Sequence, residues 1–199
     1  AYAIARWHEQ WPHRSWLAEA AFAKRSGWLR AVVVRDPLSR FVSSYRSKCM
    51  KCNASIGGDP CYNCHSVLGL DRHRAPPYTI DEVAKQLAKR GSPNPHWRPQ
   101  SAFCGGLGRT WRGYTTIVPF PRAVAGIADV LDARATKEAQ RGVVRRLRDQ
   151  AGLAHVGLVQ ATNTSAEAAA ALLTPESQAL LRNYYRSDFE MIAEMGVEI

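Results

Sequence analysis

Residues 31–46, AVVVRDPLSRFVSSYR, change periodicity halfway along, and that change fixes the local path of the chain. The β-branched run at Val32, Val33 and Val34 reads as a buried strand, whereas Leu38, Phe41, Val42 and Tyr45 fall at the i, i+3, i+4, i+7 spacing of a helix. The switch lies at Asp36-Pro37. Aspartate is a preferred N-cap because its carboxylate accepts from the first unpaired N–H groups, and proline at the first helical position loses no hydrogen bond. A strand, a tight turn and a helix start are therefore expected here. Such a junction gathers unpaired N–H groups and the positive end of the helix dipole, which together favour a bound anion. Arg35 leaves the strand end beside it. Ser43 falls on the helix face opposite the apolar stripe, with Ser39, Arg46 and Ser47 nearby on that polar side. The plainer alternative is an ordinary βα unit with a well-capped helix.

An anionic partner also agrees with the charge. The 199 residues include 27 Lys and Arg against 17 Asp and Glu, a formal net charge of +10, so nucleic acid, an anionic membrane, a phosphorylated nucleotide or an acidic glycan would fit. The length suits one α/β domain, residues 1–199, and an apolar content of 46% suits a packed core. No stretch reaches the roughly 20 consecutive apolar residues that span a bilayer.

The remaining segments add candidate chemistry. Residues 14–24 have helical apolar spacing with Gly27 placed to end the helix, and His8 and Glu9 precede it among tryptophans; His8 is a candidate catalytic group or a core histidine. Cys49-Met50-Lys51-Cys52 and Cys61-Tyr62-Asn63-Cys64 lie in a loop-like insert, residues 49–77. Their spacing suits a tetrahedral zinc site built from Cys49, Cys52, Cys61 and Cys64 and equally suits a pair of disulfides. Thr79-Ile80-Asp81-Glu82 is a capping box that starts a helix through Val83 and Leu87 to a stop at Gly91. Residues 94–104, NPHWRPQSAFC, read as an ordered loop in which His96 is a candidate base, with the alternative that His96 and Gln100 bond to backbone above a packed Trp97. Cys104 makes the cysteine count five, an odd number. Residues 114–118 read as a second strand, and Pro121 opens a helix through Val124, Ile127, Val130 and Leu131. Thr136 caps a further helix whose Arg141, Arg145, Arg146 and Arg148 form a solvated basic face or an anion grip. Residues 155–163 suggest a short strand. Thr174-Pro175-Glu176 starts a helix, and Ser187 with Glu190 satisfies a capping box at a helix-to-helix joint.

Arg35-Asp36-Pro37-Leu38-Ser39-Arg40-Phe41-Val42-Ser43-Ser44-Tyr45 resembles the RDPxxRxxSxY motif of the Golgi carbohydrate sulfotransferases, the group that contains the chondroitin and dermatan sulfotransferases. Residues 96–100, HWRPQ, are similar to that family's HW/HF-x-PQ segment, and residues 184–190, YYRSDFE, to its closing Y-x-x-D-F/Y motif. The three blocks keep the family's order and spread over most of the chain. The resemblance implies a fold related to P-loop nucleotide enzymes, with few parallel strands flanked by helices and a Cys-rich inserted loop. It implies transfer of a sulfuryl group from 3′-phosphoadenosine 5′-phosphosulfate to a glycan hydroxyl, with Arg35 and Ser43 on the donor's 3′-phosphate and no metal required. His96, or else His8, would take the hydroxyl proton.

The same resemblance implies a Golgi-luminal protein with a membrane anchor outside this chain and no nucleic-acid partner. In that oxidising compartment the cysteine pairs are read as disulfides, and Asn53-Ala54-Ser55 and Asn163-Thr164-Ser165 are glycosylation acceptors. A lysine- and glycine-bearing loop for the donor's 5′-phosphosulfate is expected upstream of the central strand. Lys24-Arg25-Ser26-Gly27 has the residue types but reads as a helix end, which leaves two alternatives: the loop lies in a first βα unit before Ala1, or the chain is a degenerate member that binds glycan without catalysis. The competing reading from another class is a zinc-stabilised, basic nucleic-acid-binding module built on the four paired cysteines. It accounts for the charge and the cysteine spacing but leaves the Asp-Pro turn, Arg35, Ser43 and the His96 loop unexplained.

Overall fold

Two strands, β1 (Ala31–Val34) and β2 (Thr116–Pro119), lie parallel in the computed structural model, with Ala31 opposite Thr116 and Val34 opposite Pro119. The structure describes residues 30–50, 69, 78–92, 94–133, 141–142, 144–146, 148–149 and 165–199. Parallel strands cannot be joined by a hairpin, and the crossover here contains α1 (Pro37–Tyr45), α2 (Ile80–Arg90) and the short α3 (Leu107–Thr110). After β2 come α4 (Ala123–Asp132), α5 (Ala166–Ala170), α6 (Pro175–Tyr184) and α7 (Arg186–Met195). Two parallel strands among helices agree with the expected α/β class; of the Cys-rich insert, residues 49–77, only Cys49, Met50 and Gly69 fall among the described residues.

Local chemistry places most of these elements. Asp36 caps α1 through a 2.6 Å bond from the Ser39 N–H, with Pro37 at the first position. The helix runs to Tyr45 and then loosens into a π-helical turn, Arg46–Met50, which ends beside the buried Cys49. Thr79 and Glu82 form the expected reciprocal capping box on α2, and Gly91 ends that helix at φ +64°, a left-handed conformation that a side chain disfavours. Thr174 caps α6, again with proline following.

Three expectations are corrected. The second strand begins two residues later than residues 114–118 suggested and is followed by a 3-10 turn, Phe120–Arg122, so the helix opens at Ala123 rather than at Pro121. Ser187 and Glu190 do not form a capping box, because α7 already begins at Arg186 directly after the Tyr185 joint. The Ser187 hydroxyl is instead 2.8 Å from that of Ser101. The helix near residues 14–24, the cap at Thr136 and the strand near residues 155–163 lie outside the described residues. Arg141, Arg145, Arg146 and Arg148 are exposed, and Arg148 pairs with Asp129 and Asp132.

The core has two parts. Leu38, Phe41 and Val42 of α1 meet Val83, Ala84 and Leu87 of α2, Leu181 of α6, and Trp97 and Tyr185 from the connecting segments. Phe41 and Trp97 pack as a tilted ring pair at 5.7 Å, a geometry that adds about 0.5–1.5 kcal/mol beyond area burial. The second part gathers Val34, Leu107, Met191 and Ile192 beneath β1. Gly126 lets α4 lie directly on β2, since a Cβ there would meet Val118 Cγ1 at 2.6 Å. Among the described residues no helix is long and apolar enough to cross a membrane.

Leu181 is fully buried where α1, α2 and α6 converge. Leu181→Ala is expected to lower unfolding stability by about 2–5 kcal/mol through lost transfer energy and the residual cavity. Urea unfolding followed by circular dichroism measures this, and a loss below about 1 kcal/mol would show that the site is not packed as described.

Candidate functional site

The carboxyl ends of β1 and β2 point the same way, and in open parallel sheets that edge is where ligands bind. Arg35 follows β1 directly and Phe120 follows β2. The Arg35 guanidinium lies over the Phe120 ring, 4.4 Å from its centroid, and its Nε–H donates to Ser39 Oγ at 3.0 Å. Only 9% of Arg35 is exposed, and burial pulls its pKa down to about 10, with Asp36 opposing that shift and Arg40 adding to it. A cation held this far from water gains from an anionic ligand that replaces its lost hydration.

Ser39 was expected on the polar side of α1. It is instead 96% buried, because its hydroxyl serves Arg35. Ser43 lies one turn further along the same face. It is half-buried, and its hydroxyl makes no hydrogen bond among the described residues. Arg35, Ser39 and Ser43 thus form a line along α1.

The helix terminus differs from the expectation of a ready anion cradle. The Asp36 carboxylate takes the Ser39 N–H, the Asp36 carbonyl accepts from the Arg40 N–H at 2.9 Å, and the carboxyl is drawn towards its neutral form chiefly by burial. The first turn is therefore capped from within. An anion here would meet side chains rather than main-chain N–H groups.

The loop carrying His96 is anchored on α1 at two points. Ser44 Oγ donates to the His96 carbonyl at 2.9 Å, and an Arg40 Nη–H donates to the Pro95 carbonyl at 2.6 Å. Asn94 Oδ1 accepts the His96 N–H at 2.9 Å, and Trp97 is fully buried beneath, as the sequence suggested. Arg40 and Arg98 flank the Phe103 ring from 5.2 and 5.9 Å. The imidazole of His96 is half-buried, and burial first, then the charges of Lys48 and Arg40, holds its pKa below the ordinary histidine value. It is neutral at pH 7 and able to accept a proton.

The expectation that Gln100 bonds to backbone is met, on a partner the sequence did not indicate. Its side-chain amide pairs with the main chain of Arg35, and its own N–H donates to the fully buried Asp188. Ser39 was named only as a neighbour on the polar side of α1, four residues after Arg35, and Asp188 only as the aspartate of the YYRSDFE block; Phe120 was not singled out, and no local signal points to it.

His8, Cys52, Cys61, Cys64 and residues 24–27 lie outside the described residues. Cys49 is buried and does not carry a free thiol; Cys104 is free. Among the described residues no cluster of three or more His, Cys, Asp or Glu could hold a metal.

A family model described as "Sulfotransferase family" matches residues 7–192, nearly the whole chain. No curated protein and no solved structure matches.

A histidine whose folded pKa lies below its unfolded value of about 6.5 binds fewer protons folded than unfolded. Its contribution to stability is therefore present above pH 6.5 and lost as pH falls through that value towards the folded pKa. Urea midpoints at pH 5 and pH 7.5 are expected to differ more in the wild type than in His96→Gln, and equal differences would contradict the neutral, half-buried imidazole.

Proposed function

The chain belongs to the sulfotransferase family, and from that premise we propose that it transfers a sulfuryl group from 3′-phosphoadenosine 5′-phosphosulfate to a glycan hydroxyl in the Golgi lumen. The observation that carries the donor assignment is the buried Arg35 cation at the carboxyl end of β1, in line with Ser39 and Ser43 along α1. Arg35 supplies charge to the 3′-phosphate, and Ser43 supplies a hydroxyl donor one turn beyond the serine that orients Arg35. Phe120 covers one face of the guanidinium and restricts the anion to the other directions.

The reaction is an in-line displacement. The acceptor oxygen bonds to sulfur as the bond from sulfur to the bridging phosphate oxygen breaks, leaving 3′-phosphoadenosine 5′-phosphate, and the hydroxyl proton passes to His96. As in phosphoryl transfer, the protein mainly positions reactants and stabilises charge. His96 suits the role because it is neutral at pH 7 and sits on a loop tied to the helix that bears Ser43. The excess of basic residues over acidic ones favours an acidic glycan as acceptor. In an oxidising lumen the cysteines at 49, 52, 61 and 64 form disulfides that close the insert.

Binding of 3′-phosphoadenosine 5′-phosphate by calorimetry tests the donor site. Arg35→Ala and Ser43→Ala are each expected to weaken it, by roughly 1.5–3 kcal/mol for a charge-assisted contact. Unchanged affinity in both folded variants would remove the assignment. Radiolabelled sulfate transfer to glycosaminoglycan acceptors tests the substrate class, with His96→Ala expected to lower turnover by about 10²–10⁴-fold.

A further inference from the structure

Three segments distant in sequence meet at Gln100, one through its side-chain amide and one through its main-chain N–H. Gln100 Oε1 accepts the Arg35 N–H at 3.1 Å while its Nε2 donates to the Arg35 carbonyl at 2.7 Å. This double pairing copies what a neighbouring strand would offer, and it needs a group that holds acceptor and donor in one plane. It also comes where β1 has ended, since Val34 is the last residue of the ladder, opposite Pro119. The main chain of Gln100 is fixed in turn. Its N–H donates to Asp188 Oδ2 at 2.8 Å, and the Ser101 N–H donates to Oδ1 at 2.7 Å. Asp188 is fully buried in the first turn of α7, and the adjoining Tyr185 hydroxyl donates to the Trp97 carbonyl at 2.8 Å.

We propose that Gln100 and Asp188 are positioning residues for the transfer reaction, fixing the main chain of Arg35 relative to the His96 loop so that donor affinity depends on two side chains that never touch the donor. The inference rests on the reading of Arg35 as the cation that holds the donor's 3′-phosphate. The alternative role for such a buried polar brace is stability alone. The two differ in what they couple to. A brace for stability lowers the melting temperature and leaves the folded protein's affinity unchanged. A positioning brace changes affinity, and does so only while the Arg35 side chain is there to be positioned.

The test is calorimetric titration of the full chain with 3′-phosphoadenosine 5′-phosphate, with melting temperatures measured alongside. Gln100→Met keeps volume but loses both bonds to Arg35, and Asp188→Asn keeps volume but can accept only one of the two N–H groups. Each is expected to weaken binding roughly tenfold, and Gln100→Met is expected to cost less than about twofold more in an Arg35→Ala background. If Gln100→Met does not fold, Gln100→Asn, one methylene too short to make both bonds, takes its place. Wild-type affinity in the folded Gln100 and Asp188 variants, or an undiminished Gln100 effect without the Arg35 side chain, would overturn the inference while leaving the donor site intact. Failure of the wild-type chain to bind the nucleotide would remove the donor-site reading, and this inference with it.

Discussion

A carboxylate with no exposure to water holds the described part of this protein in register. Asp188 accepts two consecutive main-chain N–H groups, those of Gln100 and Ser101, 88 and 87 residues earlier in the chain. Desolvating a carboxylate is costly unless hydrogen bonds replace its water, and both oxygens are engaged here. The position in the first turn of α7 adds the favourable end of that helix's dipole. Gln100 then carries the constraint to Arg35, and Tyr185 carries it separately to Trp97. The strand end, the loop and the C-terminal helix are thus linked by polar bonds through an otherwise apolar interior. Each neutral bond alone is worth only about 1 kcal/mol net and those to the carboxylate about 1.5–3 kcal/mol, and leaving any of these buried groups unpaired would cost about 1–3 kcal/mol or more.

The same economy explains why the helix N-terminus is not the anion cradle it first suggests. An N-terminus can hold an external anion only if its N–H groups are not already taken, and Asp36 takes them. What remains for a ligand is the side-chain line of Arg35, Ser39 and Ser43, in which the middle serine is committed to orienting the arginine. Burial that disfavours the Arg35 cation also raises the value of an anionic ligand. Recognition by a fixed side chain in place of a flexible main-chain loop transfers the burden of precision to whatever fixes that side chain.

Much of this was legible in the sequence, for physical reasons that also mark the limit. The strand, Asp-Pro turn and α1 follow from periodicity and capping within sixteen residues, and the α2 capping box and the Thr174 cap are equally local. The resemblance to the carbohydrate sulfotransferases brought together the central motif, the HWRPQ loop and the YYRSDFE segment as a set. The structure shows contacts among them that no spacing rule encodes: Gln100 on Arg35, Asp188 on Gln100, Tyr185 on Trp97. Ser187 shows the converse error. Its spacing to Glu190 satisfies a local capping rule, yet the chain enters α7 two residues earlier through the Tyr185 joint, and the hydroxyl goes to Ser101. A tertiary contact outcompeted a local one worth about 1 kcal/mol.

Phe120 extends the argument from hydrogen bonds to packing. Its ring can cover Arg35 only if the end of β2 lies at a fixed height above the end of β1, and two features set that height. The parallel ladder places Pro119 opposite Val34, one residue before each member of the pair. Gly126 then allows α4 to press on β2 at Val118, where even a methyl group would collide with the valine. A larger residue at Gly126 would have to displace either α4 or Val118, and Phe120 sits in the short turn between the two. The position of the buried cation is therefore determined from both sides, by a polar relay through Gln100 and by an apolar stack through Gly126, Val118 and Phe120. Neither side needs a residue that touches a ligand, which is why a site built this way is read poorly from its motif alone.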